Sequence, residues 1–302
     1  MSAKRIEGIV TPVVTPLTAA GGLDREGVFR HQDFLLRHGI AAIFVLGTTG
    51  EGPALPPPLR EEMIRASREA TAGRAPLLVG ISSASVEESL SLARFAASAG
   101  AEGVVAAPPC YLPLEAPELL EFYRILASEQ PLPLYIYNMP AMTKITLPPE
   151  LVIRIAELPN VVGYKDSAGD FAAFEVVAKA LRGRDDFSLF MGPDALLGRA
   201  LAVGACGGVN SGSNVAPGFF TGMYQASRAG DAAAVARWQR EIEGLQSIYQ
   251  FRDNICCGVA AGLKAALARL GLCGNALTRP ARPLEPNDTV DAFVRHCQSL
   301  DL

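Results

Sequence analysis

The sequence lacks long apolar runs. No stretch of the 302-residue chain reaches the roughly 18 consecutive apolar residues that a membrane span requires. The first residues, MSAKRIEGIVTP, contain no apolar signal core before a strand-like run begins. We therefore expect a cytoplasmic protein that does not work in a membrane.

Charge is also scarce. Charged residues make up 19 % of the chain, the formal net charge is -4, and no run of like charges occurs. A basic patch is the electrostatic footprint of proteins that bind nucleic acids or anionic membranes, and its absence argues against both partners. Because 49 % of the residues are hydrophobic, the chain can form a large core. Chemistry on small molecules is the favoured class of function.

Metal-binding and disulfide patterns are missing as well. The cysteines form no CxxC pair, and neither His31, His38 nor His296 has a second metal-type ligand at ligand spacing. The cysteines are therefore expected to be reduced thiols; they are Cys110, Cys206, Cys256, Cys257, Cys273 and Cys297. These gaps argue against a zinc-dependent aldolase, a Ser-His-Asp hydrolase and a disulfide framework, so no metal site is predicted.

Short β-branched runs alternate with longer segments of helical period, which is typical of repeated βα units around a parallel sheet. The strand-like runs are GIVTPVV from Gly8, AIFVLG from Ala42, PLLVGIS from Pro76, GVVAAP from Gly103, PLYIYN from Pro133, VVGYK from Val161, SLFMG from Ser188 and CGGVN from Cys206. Eight units of about 25 to 30 residues match a (β/α)8 barrel, whereas a doubly wound sheet more often has five or six strands. We therefore predict a (β/α)8 TIM barrel over residues 1–228 and, packed on it, a small C-terminal helical segment over residues 229–302.

Lys165 is the first candidate for chemistry. Active sites of such barrels lie at the carboxyl ends of the strands, and Lys165 closes the sixth run, VVGYK. Strand alternation puts Val161, Gly163 and Lys165 on one face, where the glycine is expected to leave room for a long side chain in the lumen. Desolvation there favours the neutral amine that imine formation needs. A solvent-facing lysine at a strand end is the alternative reading.

Tyr137 is the penultimate residue of the neighbouring run, PLYIYN, and is expected beside Lys165. A phenol can donate and accept a proton, which suits the formation and dehydration of a carbinolamine. A tyrosine that only packs, with its hydroxyl satisfied, is the alternative.

The segment GTTGEG, residues 47–52, follows the second run. Its glycines permit a tight turn, and its backbone amides and the Thr48 and Thr49 hydroxyls can donate to a carboxylate. The spacing and the missing lysine exclude a phosphate-binding P-loop. A helix N-cap turn is the other reading.

Three motifs in this order, each closing a strand, resemble the dihydrodipicolinate synthase and N-acetylneuraminate lyase family of class I, Schiff-base-forming aldolases. They are GTTGE at 47–51, YNMP at 137–140 and GYKDSAGD at 163–170. The resemblance runs from about Gly8 through the eighth strand. It implies that Lys165 forms an imine with pyruvate or a related 2-oxo acid and that Tyr137 transfers protons, and it requires no metal or organic cofactor.

The resemblance also assigns binding roles. It implies that Thr48 and Thr49, next to Gly47, hold the carboxylate of the 2-oxo acid. The residues that close the eighth strand are expected to line the pocket; they are Val209, Asn210, Ser211 and Gly212. Family members are usually homotetramers built from tight dimers. In the synthase branch a tyrosine from the paired subunit joins a Thr-Tyr-Tyr proton relay, and PPCYLPLEAPELLEFY from Pro108 puts Tyr111 in its place. The resemblance thus implies catalytic roles for Thr48 and Tyr111 beside Tyr137. Its neighbour Cys110 stands where the family often has another tyrosine.

One position departs from the synthase branch. There, an arginine two residues beyond the proline of YNxP holds the carboxylate of aspartate semialdehyde; here that position is Met142. An anion without its bidentate cation typically loses a few kcal/mol of binding free energy. Lys144 could supply a charge from the same loop, although a solvated loop lysine is its simpler interpretation.

The favoured function is therefore a lyase or aldolase that makes or cleaves a C–C bond between a pyruvate-derived enamine and an aldehyde partner. The thioether of Met142 suits a less charged or apolar aldehyde, a sugar acid or an aromatic partner. Two alternatives are 4-hydroxy-tetrahydrodipicolinate synthase and a 2-oxo-3-deoxy sugar acid dehydratase, which expels water from the same imine. A barrel that binds a 2-oxo acid without turning it over is an alternative of another class.

Overall fold

The computed structural model describes residues 5–252 and 255–300, except for the side chains of residues 255 and 256. The side chain of Cys256, one of the cysteines expected to be a reduced thiol, lies outside this description.

Eight parallel strands form a closed barrel in which each strand pairs with the next and β8 pairs with β1. The strands are β1 Gly8–Pro12, β2 Ala42–Val45, β3 Leu77–Gly80, β4 Gly103–Ala106, β5 Leu134–Asn138, β6 Val161–Asp166, β7 Ser188–Met191 and β8 Gly207–Val209. Each lies within a run identified in the sequence or extends it by one residue, so the predicted (β/α)8 barrel is confirmed. The strands are buried because helices cover the outside and side chains fill the lumen.

Helices follow the strands in the order the sequence predicts. They are α1 Arg25–Arg37, α2 Pro57–Thr71, α3 Val86–Ser98, α4 Ala116–Glu129, α5 Pro140–Thr143, α6 Pro149–Ala156, α7 Phe171–Ala180, α8 Leu197–Ala202, α9 Pro217–Ala229, α10 Ala232–Gly244, α11 Gln246–Tyr249, α12 Ile255–Arg269 and α13 Asp288–Ser299. Short 3-10 turns at Gly52–Ala54, Asp194–Leu196 and Ser211–Asn214 follow strands β2, β7 and β8.

Polar side chains fix where several helices begin. The side chains of Asp24, Ser85 and Asp170 each accept a hydrogen bond from a backbone N–H of the first turn of α1, α3 and α7. Such N-caps satisfy amides that have no partner within the helix. The α9 helix ends at Gly230, whose φ of 71° is the left-handed conformation that glycine adopts without strain.

Gly163 in β6 makes room for a different side chain from the one expected. A Cβ added there would lie 2.3 Å from Cδ1 of Tyr135. The ring of Tyr135, from the adjacent strand, therefore occupies the space that the sequence analysis assigned to the lysine side chain. Gly163 makes room for an aromatic layer of the lumen, and Lys165 lies one layer above it.

The helices after α9 pack on the barrel and on one another. Helix α10 contacts α9, while α12 contacts α11, α13 and the 3-10 turn after β8. This arrangement puts α12 near the strand ends that form the candidate site. The division between residues 228 and 229 stays a prediction.

Candidate active site

Lys165 and Tyr137 meet at the carboxyl ends of neighbouring strands. They are register partners in the β5–β6 pair. The amine Nζ of Lys165 lies 4.1 Å from the centre of the Tyr137 ring and 5.3 Å from the centre of the Phe44 ring. Only 6 % of Lys165 is exposed. The amine is thus held against two aromatic faces in a site from which most water is excluded.

The hydroxyl of Tyr137 is paired with Thr48. Its oxygen lies 3.2 Å from Oγ1 of Thr48, and either atom can donate. A chain of two hydroxyls can pass a proton along without carrying a permanent charge. This contact joins the predicted proton-transferring residue to the predicted carboxylate-binding turn.

The turn after β2 is fixed by its backbone. Leu46 and Glu51 adopt left-handed φ values of 61° and 56°, and the carbonyl of Gly50 accepts from Thr15 Oγ1 at 2.6 Å. A Cβ on Gly47 would lie 2.9 Å from the Phe44 ring. Only glycine therefore lets the backbone pass so close to the aromatic wall beside Lys165.

The same turn presents donors. Within residues 5–252 and 255–300, the backbone N–H groups of Thr48 and Thr49 donate to no protein acceptor. The Thr49 hydroxyl lies 2.8 Å from the hydroxyl of Ser211, which follows β8. Unpaired amides flanked by hydroxyls are suited to a carboxylate, which accepts several hydrogen bonds at once.

Asp194, which the sequence analysis did not select, also lies in this site. It follows β7 and is buried; its Oδ2 accepts from the Tyr249 hydroxyl at 2.7 Å and from the Gly212 N–H at 3.0 Å. Burial raises the pKa of Asp194 to about 6, although both hydrogen bonds act in the opposite direction. Its position shortly after strand β7 is the sequence feature that could have identified Asp194 as a site residue.

Two adjoining cavities open at this end of the barrel. The smaller, of about 240 Å³, is lined by six of the predicted residues, which are Thr48, Thr49, Tyr137, Lys165, Val209 and Ser211. The larger, of about 560 Å³, is lined by Gly47 and Met142 and shares Thr48 and Tyr137 with the smaller one. Tyr137 therefore stands at the junction between the lysine and a second, roomier space.

Tyr111 lies apart from both cavities. It is 93 % exposed, in the loop after β4, with a φ of 88°. Cys110, next to it, lines the larger cavity. Tyr111 contributes nothing to the site of its own chain, so its role toward a paired subunit stays a prediction. Lys144 is exposed and donates to the carbonyl of Ala141 at 2.8 Å, as expected for a solvated loop lysine.

A buried ion pair ties the turn to the C-terminal helices. Nζ of Lys264, in α12, lies 2.6 Å from Oε1 of Glu51 and donates to the carbonyl of Ala276 at 2.7 Å. Oε2 of Glu51 accepts from the N–H and the hydroxyl of Thr278 at 2.8 and 2.7 Å. Burial lowers the pKa of Lys264, and Glu51 opposes that shift. No local pattern in the sequence distinguishes Lys264 from other helix residues, because its partner Glu51 lies 213 residues away in the chain.

In the part of the chain that the structure describes, no cluster of three or more His, Cys, Asp or Glu side chains could hold a metal ion. No helix among the described residues is long and apolar enough to cross a membrane.

Comparisons with known proteins agree with this geometry. Residues 5–296 match the model of the dihydrodipicolinate synthetase family. The chain is 34 % identical over 280 residues to a 4-hydroxy-tetrahydrodipicolinate synthase of Aromatoleum aromaticum, with 92 % of this chain and 93 % of that protein covered. It is 32 % identical over 248 residues to a probable 2-dehydro-3-deoxy-D-pentonate aldolase of Escherichia coli, with 82 % of each covered.

A solved structure shares the whole fold. YagE, a prophage protein of the dihydrodipicolinic acid synthase family from Escherichia coli K12, solved in complex with pyruvate, superposes with a TM-score of 0.89 at 28 % identity, over 98 % of this chain and 99 % of that one. The barrel and these relatives define a lyase. The chain belongs to the dihydrodipicolinate synthetase family, whose members act on C–C bonds.

Proposed function

We propose that this enzyme forms a Schiff base between Lys165 and pyruvate, or a related 2-oxo acid, and then makes or cleaves a C–C bond with an aldehyde partner. The observation that carries the proposal is the buried amine of Lys165, 4.1 Å from the Tyr137 ring, in a cavity that also contains the Thr48 and Thr49 donors. The pyruvate complex of YagE supports pyruvate as the oxo acid.

The first steps use the lysine and the tyrosine. The neutral amine of Lys165 attacks the ketone carbon, while the carboxylate accepts hydrogen bonds from the Thr48 and Thr49 amides. Tyr137 then protonates the carbinolamine hydroxyl, which leaves as water, and a protonated imine remains. The phenol recovers its proton through the Thr48 hydroxyl, 3.2 Å away.

The protonated imine acts as an electron sink. Loss of a proton from the methyl group of the bound pyruvate gives an enamine, whose carbon attacks the aldehyde and forms the new C–C bond. The aldehyde oxygen takes up a proton, and hydrolysis of the imine releases the product and restores Lys165. The reverse sequence cleaves the bond and releases pyruvate, so the same residues serve either direction.

The proposed active enzyme is a homotetramer made of two tight dimers. Within each dimer, Tyr111, which is exposed in its own chain, completes the proton relay of the paired subunit. Val209 bounds the pyruvate cavity, and Met142 bounds the space for the aldehyde. The enzyme uses no cofactor, and a cytoplasmic location remains expected from the sequence.

The runner-up is 4-hydroxy-tetrahydrodipicolinate synthase, which the 34 % identity to such an enzyme supports. Met142 argues against it, because a thioether replaces the cation that would hold the second carboxylate. A 2-oxo-3-deoxy sugar acid dehydratase would use the same imine. Turnover of aspartate semialdehyde at physiological rates would reverse this order.

The decisive experiment is intact-mass analysis after incubation with pyruvate and borohydride, which reduces an imine to a stable amine, followed by peptide mapping. We expect one adduct, on the peptide that contains Lys165. Lys165→Ala should abolish it, and Lys144→Ala, which removes an exposed lysine near the site, should retain it. A folded protein without an adduct would support the non-catalytic binding barrel.

A further inference from the structure

The larger cavity lies where an aldehyde would approach the enamine. It shares Thr48, Tyr137 and Met139 with the cavity that contains Lys165. Its volume of about 560 Å³ falls within the range of roughly 300–1,000 Å³ that small-molecule sites occupy. A molecule that reacts with a three-carbon enamine at Lys165 therefore has to extend into this space.

The walls of this space are largely apolar. Met139 and Met142 approach from the β5 side, and Ala260, Leu277 and Ala281 approach from the C-terminal helical segment. Ala260 and Leu277 belong to a small apolar cluster that is separate from the main core and against which Ala281 packs. This cluster lines a cavity next to the reacting amine, so it offers an apolar surface to a bound molecule.

The charges that line the cavity disfavour an anion. Among its described lining residues, Arg60 is the one cationic side chain, and its guanidinium donates to the carbonyls of Leu55 at 2.7 Å and Pro53 at 3.1 Å. Glu51 and Glu88 also line it. Glu51 is already paired with Lys264, so the acid that adds negative charge to this wall is Glu88. A carboxylate on the aldehyde would meet Glu88 and a guanidinium that already donates to two backbone carbonyls.

Met142 lines the larger cavity from the loop that follows β5. It is 37 % exposed and lies in the short helix α5, directly after the strand that carries Tyr137. Lys144, two residues further on, donates to the Ala141 carbonyl and does not line the cavity. The loop therefore presents a thioether, and no ammonium, to the substrate.

We infer that the larger cavity is an acceptor subsite for an uncharged, mainly apolar aldehyde, an aromatic aldehyde being the best-fitting class, and that Met142, Leu277 and Ala281 determine this specificity. The inference rests on the proposed imine chemistry at Lys165. It goes further by assigning the aldehyde to a site whose outer wall comes from the C-terminal helical segment.

The test compares two aldehydes in condensation with pyruvate. Benzaldehyde is the apolar probe and succinic semialdehyde is the carboxylated probe, and product formation is followed for both. We expect kcat/KM to be about tenfold or more higher with benzaldehyde, since the cavity walls are mainly apolar and Arg60, the one cation among the described lining residues, already donates to two carbonyls. Equal values, a preference for succinic semialdehyde, or no condensation with benzaldehyde would overturn the inference.

Two variants test whether residues of the larger cavity determine the preference for benzaldehyde. Met142→Arg should reverse the preference, and Leu277→Asp should lower kcat/KM for benzaldehyde by about tenfold or more. Val176→Asp, a similar change at an exposed position of α7 that lines neither cavity, should leave the preference unchanged. If Met142→Arg and Leu277→Asp keep the wild-type preference, the subsite is wrongly assigned.

Borohydride trapping with pyruvate alone separates the two proposals. A trapped imine shows that a variant is folded and that its lysine is competent, so a lost preference then reports on the aldehyde. An imine in the wild-type protein combined with a preference for the carboxylated aldehyde refutes this inference only. A folded wild-type protein that forms no imine refutes the proposed function and, with it, the subsite.

Discussion

Replacing Glu51 by glutamine is expected to destabilise the protein by an amount that depends on pH. Lys264 is fully buried, and its ammonium lies 2.6 Å from Oε1 of Glu51. Glutamine keeps the shape of the side chain and can still accept from Thr278, but it removes the negative charge. The buried ammonium is then left without its counter-ion.

The size of the effect follows from the cost of an unpaired buried charge. Removing one partner of a buried ion pair typically costs about 3–5 kcal/mol of unfolding free energy. Lys264 can limit the loss by releasing its proton, because burial already lowers its pKa. Starting from an ordinary lysine pKa of about 10.4, that release costs roughly 5 kcal/mol at pH 7 and about 1.4 kcal/mol less for each pH unit above it.

The sign of the pH dependence is fixed by which state binds the proton. In Glu51→Gln the unfolded chain keeps a proton on Lys264 that the folded chain has lost. Unfolding therefore takes up a proton, and stability rises with pH until the ordinary lysine pKa is reached. We expect the loss to be about 3–5 kcal/mol at pH 7 and clearly smaller near pH 9.

Denaturant unfolding at about pH 7, 8 and 9 measures this. The double variant Glu51→Gln/Lys264→Met removes both charges and should recover most of the stability. Glu61→Gln, which breaks an exposed pair with Arg65, is the matched control and should remain close to wild type. A loss below about 1 kcal/mol at pH 7, or one that does not shrink by pH 9, would refute the reasoning.

Four further outcomes are expected. Tyr137→Phe should slow imine formation by roughly 10²-fold or more, the scale of losing a positioned acid-base group; unchanged trapping kinetics would remove Tyr137 from the mechanism. Tyr111→Phe should lower turnover in the assembled enzyme by about tenfold or more, and full activity in steady-state assays would contradict a relay between subunits. Gly163→Ala should lower the unfolding free energy by about 1–3 kcal/mol, since its Cβ would lie 2.3 Å from the ring of Tyr135; an unchanged denaturation midpoint would contradict this. Burial raises the pKa of Asp194 to about 6 in the folded state. Between about pH 4 and pH 6 the folded chain therefore keeps a proton on Asp194 that the unfolded chain has lost. The contribution of Asp194 to the unfolding free energy is fully present below about pH 4 and falls as the pH rises to about 6. Asp194→Asn should therefore gain about 3 kcal/mol relative to wild type between pH 4 and pH 7, and parallel unfolding free energies over that range would show that Asp194 is not the titrating group.

The barrel and its lysine could be predicted because their signals are local. Each strand is a short buried run bounded by helical segments, so its position can be read within a few residues of sequence. Lys165 and Tyr137 end successive strands, and parallel strands bring their carboxyl ends to the same rim of a barrel. Their proximity therefore follows from order along the chain, without knowledge of any side-chain conformation.

The features that sequence reasoning missed depend on contacts between distant segments. Asp194 meets Tyr249 across 55 residues of chain, and Glu51 meets Lys264 across 213. Neither partner has a pattern that points to the other, since a buried lysine within a helical period looks like any other helix residue. Gly163 was assigned to the wrong neighbour for the same reason, because the ring that fills its space comes from the adjacent strand.

The C-terminal helical segment contacts both the proposed pyruvate site and the proposed aldehyde site. Through Lys264 it holds Glu51, at the end of the turn that presents the Thr48 and Thr49 amides. Through Leu277 it supplies a wall of the larger cavity, the proposed aldehyde site. Substitutions at Lys264 should therefore raise KM for pyruvate, whereas substitutions at Leu277 should change the preferred aldehyde while pyruvate trapping persists. If both positions affected pyruvate and aldehyde equally, the segment would act only as a general support of the barrel, and the separate roles argued for its residues would be wrong.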